Sequence, residues 1–177
     1  TKSAVIRGEG AASTVVRPGV SAPNPCANSS LCGGAASNVF LIQASNVTIQ
    51  SLTVDGDNPA LTGVNVGGAN IDARNGIIED HNSGVYNHTN VHDVVVKNVF
   101  LRGINAGSGG NDFSFVNNVV QNVQGSQFSV AVFAFDARGT IKGNNVSAAG
   151  DAISVNHSRG VKIVGNTVSD SGSGIHV

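Results

Sequence analysis

The sequence predicts an all-β solenoid, in which stacked coils of three short strands each form parallel sheets. Its clearest unit is the stretch 161–177, where apolar residues alternate in short groups separated by Gly, Asn or Ser residues. The apolar residues of this stretch do not recur at the spacing of an amphipathic helix, which favours strands. A single coil of this kind cannot bury its own apolar side chains, so it needs neighbouring coils above and below.

The neighbouring coils are visible as sequence repeats. The segment 141–146, IKGNNV, returns 22 residues later as the segment 163–168, IVGNTV. Further copies of this first side of the coil are the segments 49–54, 71–77, 96–101 and 115–120. Copies of the third side are the segments 63–66, 84–86, 103–105, 130–132, 152–155 and 174–177. Together the repeats predict about six to seven coils.

This alignment predicts one inward-facing apolar residue at the same position of each coil. The predicted row contains Ile49, Val96, Phe115, Ile141 and Ile163. Because the side chains of a strand alternate between its two faces, an error of one residue would turn every predicted core residue toward solvent. The burial of this row therefore tests the alignment.

The region 17–38 interrupts the repeats after the segments 4–6 and 14–16, which we interpret as two sides of an incomplete first coil. The interrupting region contains both cysteines, Cys26 and Cys32, with five residues between them. No His, Asp or Glu lies between them to complete a metal site, so we predict a disulfide in an ordered loop, with free thiols or a metal site as the alternatives. A disulfide indicates an oxidising compartment, and we expect a secreted or cell-surface protein.

The composition excludes some partners. Only 12% of the residues are charged and the net charge is −1, so the chain lacks the basic surface that binds nucleic acid. No run of about 18 apolar residues occurs, and we predict no membrane span. The 23 glycines, together with many Asn and Ser residues, suit a fold with many tight corners.

The repeats and the corner residue Asn98, in the segment VVVKNVFL, resemble the right-handed parallel β-helix of the pectate-lyase-like superfamily. The resemblance covers residues 1–177 and implies a right-handed, single-stranded helix that forms one domain. In that family, Asn side chains at such corners form ladders. Because uncapped coils expose unpaired backbone groups, we expect a part of a longer solenoid, or a chain that stacks on further coils of the same or another chain.

A one-coil alignment late in the chain brings charged residues to one corner. The segments 135–139 and 156–160 align with an offset of 21 residues, which pairs Asp136 with His157 and Arg138 with Arg159. The resemblance implies polysaccharide binding here, because lyases and hydrolases of this fold bind substrate along the outer face of one sheet. The alternative is a solvated corner whose arginines pair with aspartates. The candidate ligand-binding residues are Asp136, Arg138, Asp151, His157, Arg159 and His176.

Two functions remain open for this corner. Arginines can clamp the carboxylates of an acidic polysaccharide, and His157 or His176 could act as the base of a lyase. The paired aspartates and Gly-His-Gly of polygalacturonases are absent, as is the Arg-x-Pro-x-x-Arg motif of the classical pectate lyases. We therefore expect an extracellular or cell-surface β-helix module with a structural or carbohydrate-binding role. The alternative is a domain of a secreted lyase or glycoside hydrolase acting on acidic polysaccharide, and no catalytic residue is assigned.

The segment from Asp55 to Pro59, DGDNP, resembles part of a calcium-binding loop. A calcium site needs about six to eight oxygen ligands, more than this segment supplies. A turn with Asx hydrogen bonds is the favoured interpretation. No metal site and no cofactor are predicted.

Overall fold

The computed structural model describes residues 2–27 and 29–177, and within them the chain forms twenty strands. The first coil contains β1 (Ala4–Arg7), β2 (Val15–Val16) and β3 (Asn38–Ile42). The second contains β4 (Val47–Gln50), β5 (Thr53–Asp55) and β8 (Asn75–Glu79), with the strands β6 (Val64–Val66) and β7 (Ala69–Ile71) inserted between β5 and β8. The third contains β9 (Asn90–His92), β10 (Val95–Val99) and β11 (Arg102–Gly107). The last three contain β12 (Phe113–Val116), β13 (Val119–Val123) and β14 (Val130–Phe135), then β15 (Gly139–Lys142), β16 (Asn145–Ala149) and β17 (Asp151–Asn156), then β18 (Lys162–Val164), β19 (Thr167–Ser169) and β20 (Ser173–His176).

Strands at the same position of successive coils pair in parallel, so three six-stranded sheets run along the column. The first sheet is β1-β4-β9-β12-β15-β18, the second is β2-β5-β10-β13-β16-β19 and the third is β3-β8-β11-β14-β17-β20. The fold is therefore a parallel β-helix of six coils with three strands per coil, which confirms the predicted fold class. In the described part of the chain, no helix has the length and apolar character needed to span a lipid bilayer.

Apolar side chains from successive coils stack in rows inside the column. Neighbouring strands lie about 4.8 Å apart, so each inward side chain contacts the residue above and the residue below. Burial of this apolar surface is the main source of the fold's stability. From the second to the fifth coil, the rows are Ile49, Val91, Phe115 and Ile141 in the first sheet, Val54, Val96, Val120 and Val146 in the second, and Ile77, Ile104, Val132 and Ile153 in the third.

The predicted inward row contains one residue from the wrong sheet. Val96 is buried, but it lies in the second sheet, and Val91 stands between Ile49 and Phe115 in the first sheet. The last member of the row, Ile163, is in the predicted register but only half-buried. Its strand β18 is the last of the first sheet, so no described strand packs on its far side.

Three predicted repeats in the second coil and the loop after it are also wrong. The strands β6 and β7, which contain the segment 63–66 and the start of the segment 71–77, form an antiparallel hairpin outside the coil. Its turn residues Gly67 and Gly68 both have positive φ, 56° and 83°, which a tight hairpin turn requires. The segment 84–86 lies in the loop between β8 and β9. The hairpin is thus an insertion between β5 and β8, and the second coil keeps its three regular strands.

The described residues of the region 17–38, which are all but residue 28, form a loop that leads into the first strand of the third sheet. Cys26 and Cys32 form the predicted disulfide. The fully buried guanidinium of Arg74, just before β8, donates hydrogen bonds to the carbonyls of Ser29 and Ser30 at 3.1 and 3.2 Å. It also donates to the Pro23 carbonyl at 3.2 Å. One buried arginine therefore fixes the part of the loop that the disulfide closes.

Ladders of Asn side chains stabilise two corners of the column. Between the first and second sheets, the Nδ2 of Asn118 donates to the Oδ1 of Asn144 at 3.0 Å, and Asn144 donates in the same way to Asn166 at 2.9 Å. Near the carboxyl ends of the second-sheet strands, the Nδ2 of Asn122 donates to the Oδ1 of Asn98 at 2.8 Å, so the ladder expected at Asn98 is present. Asn98 has a φ of 56°, a conformation that Asn adopts more readily than most residues.

One inward position of the third sheet carries an acid. Glu79 pairs with the core residue Ile42, is 1% exposed, and its Oε2 accepts a hydrogen bond from the Gly107 amide at 2.9 Å. Burial raises the pKa of the Glu79 carboxyl above its usual value, and the hydrogen bond from Gly107 only partly offsets this effect. The folded protein therefore holds this proton more tightly than the unfolded chain.

We expect Glu79→Gln to make the protein more stable than the wild type at pH 7 but not at pH 4. Between the unfolded and the raised folded pKa of Glu79, the folded state binds more protons than the unfolded state, so the free energy of unfolding falls as pH rises. The neutral amide removes this dependence while it still accepts the Gly107 hydrogen bond. Urea unfolding at both pH values tests the difference. A variant less stable than the wild type at pH 7 would show that the fold prefers the carboxylate.

Candidate functional site

The candidate residues lie at the corner that follows the third sheet. Ser108, Asp136 and His157 occupy the same place in three successive coils, with φ values of 58°, 47° and 55°. The Ser108 amide donates to the Phe135 carbonyl at 2.9 Å, and the Asp136 amide donates to the Asn156 carbonyl at 3.0 Å. A residue in the left-handed region ends the extended conformation of each strand, and Asp and His adopt this region more readily than most residues.

This corner contains an open cavity of about 320 Å³. Four of the six candidate residues line it, and all four are exposed: Asp136, Arg138, His157 and Arg159. The remaining lining residues are Gly109, Asn111 and Ala137. The structure therefore brings together the four residues that the one-coil alignment placed at this corner.

The two arginines of the corner have no carboxylate partner in the described residues. No Asp or Glu oxygen there lies within 4.0 Å of the guanidinium of Arg138 or Arg159. The alternative in which these arginines pair with Asp136 and Asp151 is therefore not the arrangement found. Two cations in adjacent coils repel each other, and an anion between them would lower that cost.

The other two candidates lie apart from this cavity. The Oδ2 of Asp151 is 3.8 Å from the Nδ1 of His176, and its Oδ1 accepts a 2.6 Å hydrogen bond from the Ser173 hydroxyl. His176 belongs to an outward row of the third sheet in which it follows Phe133 and Ser154. These residues form a separate polar group near the last coil, and they do not line the corner cavity.

Aromatic side chains extend the corner onto the outer face of the third sheet. The Phe135 ring is 40% exposed and packs on the His157 imidazole, with ring centroids 5.0 Å apart. The ring centroids of Phe133 and Phe135 are 6.2 Å apart. Exposed rings of this kind can pack against the apolar face of a ligand ring, so the arginines have an apolar surface beside them.

A second cavity, of about 280 Å³, lies on the same face next to the disulfide-closed loop. Sequence reasoning assigned no role to its Arg102 and Asn105. In the structure Asn105 pairs with Phe133 in the outward row of the third sheet, and its place in the third-side segment 103–105 was the only available signal. The residues that line the cavity are Ser30, His81, Arg102, Asn105, Gly107, Ser108, Phe133 and Phe135.

The segment that resembles a calcium loop is a turn. The Asp57 amide donates to the Oδ1 of Asp55 at 3.2 Å, which is an Asx hydrogen bond. The Oδ2 of Asp55 lies 3.2 Å from the Lys97 ammonium and 4.0 Å from the Arg17 guanidinium, so cations already neutralise this carboxylate. In the residues described, no group of three or more His, Cys, Asp or Glu side chains is arranged to hold a metal ion.

Comparison of the chain with protein-family models, curated protein sequences and solved structures finds no match. The resemblance to the pectate-lyase-like superfamily therefore stays a prediction beyond the parallel β-helix itself. Because this architecture supports many unrelated functions, the chemistry of the corner is the basis on which a function is inferred.

Proposed function

We propose that this β-helix is a secreted or cell-surface module that binds acidic polysaccharide at the corner after its third sheet. The observation that supports the proposal is the pair Arg138 and Arg159, exposed in one cavity without a carboxylate partner among the described residues. Arginine binds carboxylates with two parallel hydrogen bonds, which makes it suited to uronate units. The disulfide agrees with an oxidising compartment.

The neighbouring rings favour a sugar chain over a simple anion. Phe135 and His157 pack on each other beside the arginines with their ring planes tilted by 53°, and the apolar face of a pyranose ring can pack against them. Asp136 lines the same cavity and lowers its net positive charge. We therefore expect binding that depends on contacts of several units and weakens as salt is added.

The corner supports binding better than catalysis. A glycoside hydrolase needs two carboxyl groups on either side of the scissile bond, and Asp136 is the only Asp or Glu that lines the described cavity. His157 packs against Phe135 and is the remaining group there that could act as a base. A lyase is therefore the enzymatic alternative, and the formation of unsaturated product would identify it.

We expect an Arg138→Ala/Arg159→Ala variant to bind oligogalacturonate at least about tenfold more weakly than the wild type. Loss of about 1.4 kcal/mol corresponds to this factor, and two charge-assisted contacts supply more than that when they are intact. Calorimetric titration of both proteins at low salt provides the measurement. The matched control is Lys2→Ala/Arg7→Ala, which removes the same charge from exposed residues of the first coil.

The outcomes separate the functions. Equal and negligible binding by all three proteins would leave a structural module and would refute the proposal. Equal weakening in the Arg138/Arg159 variant and in the control would show an effect of net charge alone. Ultraviolet absorbance from an unsaturated product, lost in a His157→Ala variant, would establish the lyase instead.

A further inference from the structure

The cavity of about 280 Å³ on the outer face of the third sheet has the features of a binding site. Phe133 and Phe135 form an apolar side, and Ser30 of the disulfide-closed loop lies at its edge. Arg102 and Asn105 contribute polar groups from a single strand, β11. A cavity that combines aromatic walls with a few convergent polar groups is the usual form of a small-molecule site.

Two buried polar atoms of this cavity lack hydrogen-bond partners in the described residues. They are the Nε of Arg102, a donor, and the Oδ1 of Asn105, an acceptor. Asn105 is 3% exposed, so bulk water does not solvate its amide freely. Buried polar groups are nearly always paired in folded proteins, and two unpaired groups beside one cavity indicate that a ligand supplies their partners.

The charge of Arg102 is also unbalanced. Its Nη1 donates to the carbonyls of Phe128 and Leu101, and its guanidinium packs on the Phe133 ring, with the Cζ 4.7 Å from the ring centroid. In the described part of the chain, no carboxylate oxygen lies within 4.0 Å of it. Burial is the main reason that the pKa of Arg102 is lowered, to about 10, and the nearby charge of Arg74 lowers it further.

No described side chain is placed to neutralise Arg102. Asp151 is the carboxylate that raises the pKa of Arg102, but it stands two strands away in the same row, beyond Val130. The Asp151 carboxylate already accepts a hydrogen bond from the Ser173 hydroxyl and lies beside the His176 imidazole. A half-buried guanidinium without a carboxylate partner is stabilised by an anion that enters the cavity.

We propose that this cavity is a subsite for one hexuronate unit, whose carboxylate is bound by Arg102 and one of whose hydroxyls donates to Asn105. The inference rests on the proposed polysaccharide-binding function. The volume of the cavity, about 280 Å³, lies just below the usual range of small-molecule sites, about 300–1,000 Å³, so the cavity takes a single ring. The phenylalanines pack against the apolar face of that ring.

The subsite is continuous with the corner. Phe135 lines this cavity and packs on His157, which lines the corner cavity. The turn after β11 connects them as well, because Ser108 lines this cavity and Gly109 lines the other. A linked acidic chain therefore reaches Arg102 with one unit while neighbouring units contact Arg138 and Arg159.

A titration with a monosaccharide measures binding at this subsite separately from binding at the corner. D-galacturonate and neutral D-galactose are titrated into ¹⁵N-labelled protein while the Nε–H signal of Arg102 and the side-chain amide of Asn105 are followed by NMR. We expect D-galacturonate to shift both signals saturably, and D-galactose to bind at least about tenfold more weakly. Arg102→Gln removes the cation, and Asn105→Asp, a nearly isosteric change, places a second negative charge in the cavity. Each is expected to weaken D-galacturonate binding at least about tenfold.

The Arg138→Ala/Arg159→Ala variant distinguishes failure of this inference from failure of the proposed function. Retained D-galacturonate shifts in that variant, with loss in Arg102→Gln and Asn105→Asp, support the subsite. If oligogalacturonate binding depends on Arg138 and Arg159 while D-galacturonate leaves the Arg102 and Asn105 signals unmoved, the subsite is refuted and the proposed function stands. Equal affinity for D-galactose refutes the role of Arg102. The two NMR signals of the wild-type protein decide the question even if one variant does not fold.

Discussion

An Ile141→Ala variant should lose about 2–5 kcal/mol of unfolding free energy, the usual cost of truncating a core isoleucine or leucine. Ile141 is 0% exposed and lies between Phe115 and Ile163 in the inward row of the first sheet. Truncation leaves a cavity that the neighbouring coils cannot fill, because their backbones are fixed by hydrogen bonds at the strand spacing. Urea unfolding followed by circular dichroism measures the change.

The matched control for Ile141 is Ile163→Ala in the same row. Ile163 occupies the same position one coil later, but its side chain is only half-buried, so its truncation removes less buried surface. We expect the control to cost less than half as much as Ile141→Ala. Equal costs would mean that a coil covers β18 in solution, and a cost for Ile141→Ala below about 1 kcal/mol would contradict the core packing described here.

The inward row shows why a repeat predicts the fold before it predicts every register. A period near 22 residues, with strand-like alternation, is sufficient to indicate stacked coils. This period does not show which of two neighbouring apolar triplets in one coil belongs to which sheet. Residues 94–96 are consecutive valines and 99–101 are again apolar, so the pattern offers two equivalent alignments and the wrong one placed Val96 in the first sheet. The correct residue, Val91, stands between polar neighbours that gave a weaker signal.

The corner after the third sheet could be predicted because it depends on a local offset. Asp136 and His157 both end third-sheet strands in a left-handed conformation, and an offset of one coil is enough to bring them together. His176 lies in a neighbouring row of the same sheet, yet it points to Asp151 rather than to the corner cavity. The strand pattern identified its outward direction but not its distance from the arginines.

The second cavity could not be predicted from the repeats. Its edge includes Ser30, which reaches the third sheet because Arg74 holds the backbone of the loop 17–38 against β8. No periodicity relates Arg74 to a loop 44 or more positions earlier in the chain. Insertions depart from the repeat, so the contacts they make are set by individual buried side chains and not by the coil pattern.

An Asn144→Ala variant should also be strongly destabilised, although it removes only a polar side chain. Asn144 is 1% exposed, and its Oδ1 accepts from the backbone amide and from the Nδ2 of Asn118 at 2.9 and 3.0 Å. Its own Nδ2 donates to the Phe115 carbonyl at 3.0 Å and to the Oδ1 of Asn166 at 2.9 Å. Truncation removes the partner of the buried backbone N–H of Asn118 and the side-chain donor to the Phe115 carbonyl. Each buried group left unpaired costs about 1–3 kcal/mol, so the expected loss is roughly 2–5 kcal/mol.

The matched control for this prediction is Asn166→Ala, the next residue of the same ladder. Asn166 makes the equivalent contacts, with its Nδ2 donating to the Ile141 carbonyl at 3.0 Å, but it is half-buried. Water can reach the groups that its truncation exposes, so we expect a loss of about 1 kcal/mol. Urea unfolding of both variants gives the comparison. Equal, small losses would show that water replaces the buried amide of Asn144 as well, and the ladder would then follow from the corner geometry without stabilising it.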